Sequence, residues 1–185
     1  MMYRYFVICL IILLITACNK YQSICDCVDS LPPTSMTLLY PNNFPTPTIP
    51  DSNPLTEEGV NLGRHLFYDP ILSSDNTVSC ASCHKQEHSF GDNISFSVGV
   101  NSSQGERHSP TIVNAAFQEV FDWDGKSSSL EDQAVRPIFN EIELHNNNWS
   151  EVINRLKMSN LYPSLFCAAF GTEDIDSLHI LLESK

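Results

Sequence analysis

Apolar and polar positions divide the chain into three stretches. Residues 6–15 are apolar almost without interruption. Residues 19–54 have no periodicity, only Pro32-Pro33, Pro41, Pro45, Pro47, Pro50 and Pro54 among Ser, Thr and Asn. That composition resists helix and sheet, and it predicts a disordered, semi-extended tether over residues 18–54. From Leu55 onward apolar residues return at helical spacing. Thr56 is placed to cap a helix whose first turn carries Glu57 and Glu58. Val60, Gly63 and Phe67 share one face of it, Leu62 and Leu66 lie beside them, and Asp69-Pro70 ends it. A short helix is predicted from Cys80 to about Lys85, then a long Gly-, Asn- and Ser-rich loop over Ser89–Ser109. A short helix or turn over Pro110–Phe117 and a turn at Phe121-Asp122-Trp123-Asp124-Gly125 follow. Ser128 with Glu131 makes a capping box for a helix that Pro137 stops, and Asn148 with Glu151 repeats the device. Pro163 and Gly171 bracket the last clear helix. The result is a mainly α domain over residues 55–185, with long loops and little strand signal.

So few helices make a small core, and the chain offers a way to enlarge it. Ser79-Cys80-Ala81-Ser82-Cys83-His84 is a C-x-x-C-H stretch. Two thiols at this spacing add to the two vinyl groups of one haem, and the abutting imidazole meets its iron. The same C-x-x-C also serves zinc sites and redox disulfides. Haem c as the central hydrophobe of a cytochrome c-like domain accounts for His84 as well.

Net charge is −12, which argues against nucleic acid as a partner, because phosphate backbones call for the opposite sign. The apolar run Phe6–Ile15 behind Arg4 is short for a bilayer span and reads as a signal peptide over residues 1–17. It ends Ile15-Thr16-Ala17-Cys18, which resembles a bacterial lipobox. Cleavage before Cys18 and a lipid on Cys18 are therefore expected. That would place the folded part in the cell envelope, on the periplasmic side, anchored to a membrane. Export is also where C-x-x-C-H acquires haem. Cys25 and Cys27 read as tail residues, and Cys167 as a small core residue in an apolar helix.

The blocks LGRHLFYDPILSSDNTVSCASCH, RHSPTIVNAAF, FDWDG and SLEDQAVRPIFNEIEL together resemble the bacterial di-haem cytochrome c peroxidases and the related MauG enzymes. The likeness runs from about Leu62 to Phe170, in the family's order, and corresponds to its N-terminal, peroxidatic domain. It implies that Cys80 and Cys83 are the thioether cysteines and His84 the axial iron ligand. It further implies that Glu143 is the distal acid–base carboxylate and Gln133 the distal glutamine. Trp123 matches the tryptophan between the two haems, an electron relay. Splitting the O–O bond of hydrogen peroxide requires a proton to leave one oxygen and reach the other, and one carboxylate can do both. Read without the resemblance, Glu143 is a solvated charge and Trp123 a core or interface aromatic.

Several positions depart from the family. Ser97-Val98-Gly99 is followed by Val100, where many members carry a histidine that ligates the resting iron. A five-coordinate haem needing no reductive activation is expected, and a low-spin bis-histidine spectrum would reject it. His108 stands where the family has an Asn that helps bind an interdomain calcium, which puts calcium in question. The family's second domain, with its own C-x-x-C-H and haem, is missing, so the domain is expected to be C-terminally truncated. The leading expectation is a peroxidase taking electrons from a small cytochrome c. A MauG-like oxidase, a mono-haem electron carrier and a non-haem metal or disulfide lipoprotein remain alternatives.

Overall fold

A computed structural model describes Cys27 and residues 31–176. The expected signal peptide, Cys18, Cys25 and the last residues of the chain lie outside the described residues. Five α-helices carry the fold there: α1 (Glu57–Tyr68), α2 (Cys80–Cys83), α3 (Leu130–Phe139), α4 (Trp149–Met158) and α5 (Tyr162–Phe170). Short 3-10 turns interrupt the loops, and only isolated bridges, no strands, occur among the described residues.

Helix α1 begins as expected, with the Thr56 side chain accepting from the Gly59 N–H and two acids in the first turn. Of its two stripes, the one through Leu62 is buried. Gly59, Leu62 and Leu66 point inward, while Val60 is 42% exposed. Phe67 turns instead towards the rings of Phe90 and His84. The cause is where the partners lie. α1 packs chiefly on α5, and α5 on α4, so the inward stripe is the one facing Tyr162 and Phe166. Leu62, Val152, Leu156, Tyr162 and Phe166 are fully buried, each side chain stabilising the fold by about 1.5–3 kcal/mol.

Two expectations at α3 are corrected. The cap is Ser129, not Ser128: Ser129 accepts from the Asp132 N–H at 3.1 Å. Pro137 does not stop the helix but lies inside its last turn, and α3 continues to Phe139. A proline this close to the end removes one helical bond, and its carbonyl is well used, accepting from the N–H groups of Asn140 and Leu144. The caps of α4 and α5 are as read. Asn148 accepts from the Glu151 N–H, and Gly171 ends α5 with φ +71°.

Over residues 31–54 the proline-rich stretch forms no helix, yet it follows the domain. Thr34 binds the Glu58 carboxylate through its N–H (2.7 Å) and hydroxyl (2.9 Å), and Ser35 bridges to Thr56. The rings of Tyr40 and Phe44 meet Phe117 edge-on. Cys27 forms a disulfide with Cys167 of α5, Cα to Cα 5.6 Å. Neither cysteine is the isolated residue its local sequence suggested, because their partnership spans 140 positions.

Candidate haem site

The C-x-x-C-H stretch folds as the single turn α2, which the Ser79 N–H and Ser82 hydroxyl tie at its start. The turn ends at Cys83 rather than Lys85, since His84 leaves helical geometry while its N–H still bonds the Cys80 carbonyl. Beyond it the chain doubles back, with Lys85 N–H on the Gly91 carbonyl and Phe90 N–H on the Lys85 carbonyl. This return brings two carbonyls to His84: Nδ1 lies 3.1 Å from Phe90 O and 3.1 Å from Pro110 O. A carbonyl only accepts, so Nδ1 carries the hydrogen and Nε2 keeps its lone pair for a metal.

Cys80 and Cys83 are half-buried, and neither is in a disulfide. Burial, with smaller pressure from Cys83 and Glu143, pushes the Cys80 thiol up to about 11. Burial also raises the Cys83 thiol, against opposing hydrogen bonds from the Ser97 and Ser109 hydroxyls. Thiolate chemistry requires the reverse shift, so a redox C-x-x-C is a poor fit. Nor do Cys80, Cys83, His84 and His88 converge as zinc ligands among the described residues. Two protonated thiols and an imidazole with a bare Nε2 match what covalent haem attachment uses.

Glu143 lies in the loop after α3 and is close enough to both cysteines for its charge to be felt there. Its outer side meets solvent, but the protein atoms crowded around it raise the carboxyl pKa above the usual glutamate value, and the Asp122 carboxylate adds to the rise. Gln133, on α3, accepts at Oε1 from the fully buried Ser127 hydroxyl (2.7 Å), which leaves its amide N–H groups directed elsewhere. Ser127 also closes the turn bearing Trp123, accepting from the Phe121 N–H. Trp123 is 65% exposed, and its indole N–H donates to the His108 carbonyl at 3.1 Å. Ser127 thus braces the turn bearing Trp123 against Gln133 of α3, and Asp122 of that turn repels the Glu143 carboxylate. His108 itself is exposed, with Nδ1 on the Ile94 carbonyl.

Some residues of the site have no signature in the sequence. Asp92 is buried and binds the Lys85 ammonium (2.8 Å), the Asn93 N–H and the Ser97 hydroxyl, while Ser97 lies 2.8 Å from the Ser109 hydroxyl. The acid reads locally as one more polar loop residue. Gly99 runs so close to the Glu143 loop that a Cβ would stand 1.8 Å from the Ile142 carbonyl oxygen. Val100 is fully buried, and its N–H donates to the Glu143 carbonyl at 3.1 Å. A valine there cannot bind iron, and it serves the core.

The family model for di-haem cytochrome c peroxidase matches residues 57–182. The methylamine utilization protein MauG of Methylorubrum extorquens is 41% identical over 132 residues, covering 71% of this chain and 37% of that protein. The cytochrome c peroxidase Ccp of Escherichia coli is 38% identical over 115 residues, covering 62% of this chain and 25% of that protein. Among solved structures, a MauG-like protein associated with microbial copper homeostasis superposes with a TM-score of 0.74 at 33% identity, over 80% of this chain and 44% of the other. The diheme peroxidase BthA from Burkholderia thailandensis shares the fold at 20% identity, with a TM-score of 0.62 over 71% of this chain and 38% of its own. The chain therefore spans between a quarter and 44% of the length of these relatives. Haem c is the cofactor that such relatives imply, and the donor set around α2 fits it. From the family match, the shared fold and this donor set, the chain belongs to the di-haem cytochrome c peroxidase family.

Proposed function

We propose that the chain is the peroxide-reacting haem domain of a cytochrome c peroxidase, reducing hydrogen peroxide to water with electrons from a small cytochrome c or similar donor. Haem c held by Cys80, Cys83 and His84 would supply the redox-active iron. The residues around it then have separable tasks. His84, anchored by the Phe90 and Pro110 carbonyls, presents Nε2 in one orientation. Glu143 accepts a proton from one peroxide oxygen and returns it to the other, which calls for a carboxyl pKa closer to working pH than usual. Gln133, fixed through its oxygen by Ser127, turns its N–H groups to orient the peroxide. The exposed Trp123 offers a ring on the electron route. A lipid on Cys18 would hold the domain at a membrane on the periplasmic side, and Cys18→Ser should then release it from membranes.

The observation that carries this reading is geometric: two free, half-buried cysteines stand beside His84, whose Nδ1 is held 3.1 Å from the Phe90 and Pro110 carbonyls so that Nε2 is left for iron. Protein matured in a haem-attaching host should oxidise reduced cytochrome c when given peroxide. Glu143→Gln should lower kcat by about 10²–10⁴-fold and leave KM nearly unchanged. A variant as fast as its parent removes the assignment.

The 41% identity to MauG favours one second reading, an oxidase acting on a protein or organic substrate. The two part on a single measurement. Peroxide consumption that depends on reduced cytochrome supports the first, and consumption that proceeds only with another reductant supports the second.

A further inference from the structure

Arg155 projects from α4 into the body of the domain with no ion pair to a carboxylate among the described residues. The acid one turn before it, Glu151, is occupied at the α4 cap by the N–H and side-chain amide of Asn147. The Arg155 guanidinium instead binds neutral acceptors. Its Nε donates to the Ile71 carbonyl at 2.9 Å, and Nη2 donates to the Leu72 carbonyl at 3.4 Å and to the Asn146 side-chain oxygen. Asn146 is 5% exposed and spreads the grip, its Nδ2 donating to the Leu72 and Ile138 carbonyls at 2.8 Å each.

These acceptors belong to the two halves of the haem site. Ile71 and Leu72 end the 3-10 turn that leads, through Ser73 and Val78, into Cys80. Ile138 and Asn146 flank the loop that carries Glu143. That loop is closed upon itself by His145 N–H on the Asn140 carbonyl and by Ile142 N–H on the Asn140 side chain. It is attached outward through Ser74 N–H on the Leu144 carbonyl (2.8 Å) and Val100 N–H on the Glu143 carbonyl (3.1 Å). One guanidinium thus ties the segment before the thioether turn to the segment bearing the carboxylate.

We propose that Arg155, acting through Asn146, is a positioning residue that fixes Glu143 relative to the Cys80–His84 turn. The hydrogen bonds that define it go to protein acceptors, the Ile71 and Leu72 carbonyls and the Asn146 side chain. A planar fork of donors suits the task, since it meets several carbonyls at fixed angles where an ammonium makes a single point contact. The importance of that placement for turnover rests on the role given to Glu143 above.

The test uses the full haem-loaded chain. Arg155→Met keeps the unbranched stem and removes every donor. Its backbone amides at Ser74 and Val100 should exchange with deuterium about tenfold faster or more, at parental haem content. Peroxide turnover should fall about 10- to 100-fold in kcat with KM little changed. If the Met variant does not accumulate, Arg155→Lys carries the test, with the same changes in smaller degree. Added guanidinium ion should restore kcat in Arg155→Ala and should do nothing for Glu143→Gln. Parental exchange at Ser74 and Val100 in the variant overturns the proposal whatever the turnover. Faster exchange with Glu143→Gln as active as its parent keeps the brace and rejects the catalytic reading instead.

Discussion

At Glu143 stability and the proposed chemistry oppose each other. Burial and the Asp122 charge raise its folded-state pKa above the 4.5 of a free glutamate, so the folded chain holds this proton more tightly than the unfolded chain. Stability gained from that preference is fully present below the unfolded pKa and is lost as pH rises through the folded one. Glu143→Gln should therefore raise the melting temperature at pH 7–8 and have no such effect near pH 4, a contrast that thermal melts across pH would show. Gly99 is constrained from the other side of the same loop. Its φ of −99° is open to any residue, so what demands glycine is the approach of the Ile142 and Glu143 carbonyls. Gly99→Ala must push that loop away, which should cost about 1–3 kcal/mol in denaturant unfolding. Asp92 shows why such residues escape a linear reading. Its partners Lys85 and Ser97 become neighbours only after the chain doubles back at Phe90 and Gly91.

Element boundaries were legible wherever a cap is local chemistry. Thr56, Asn148, Pro163 and Gly171 each do what a short window of sequence says, because a cap needs only its own first or last turn. The run Ser127-Ser128-Ser129 is different, since three hydroxyls compete for one role. Ser127 is taken by Gln133 and by its bridge to Phe121, and the helix then opens at Ser129. Ser129→Ala should accordingly lower stability by about 1 kcal/mol, while Ser128→Ala stays within about 0.5 kcal/mol, as chemical unfolding would record. The inward face of α1 is undecided in the sequence for a related reason. Val60-Gly63-Phe67 and Gly59-Leu62-Leu66 are both helical stripes, and only the location of α5 selects between them.

For the whole molecule, the Cys27–Cys167 disulfide encloses nearly all of the described fold. A loop closed over 140 positions has the larger entropic effect on the unfolded chain, with about 5 kcal/mol as the chain-entropy limit and about 2–4 kcal/mol typical. Cys167→Ser should lower the unfolding free energy obtained from denaturant titration by an amount in that typical range, and a reductant should bring the parent to the same midpoint as the variant. The disulfide also changes the meaning of the proline-rich stretch. With Cys27 fastened to α5 and Thr34 to Glu58, it is held against the domain at both places. The sequence by itself determined the mainly helical class, the C-x-x-C-H turn, the family and most caps, because these depend on residues within a few positions of one another or on motifs in fixed order. Tertiary structure decided which stripe of α1 is buried, which serine caps α3, which cysteines pair, and how Arg155 joins the two halves of the site. Each of those is a contact between distant segments, and its free energy exists only once the chain has brought them together.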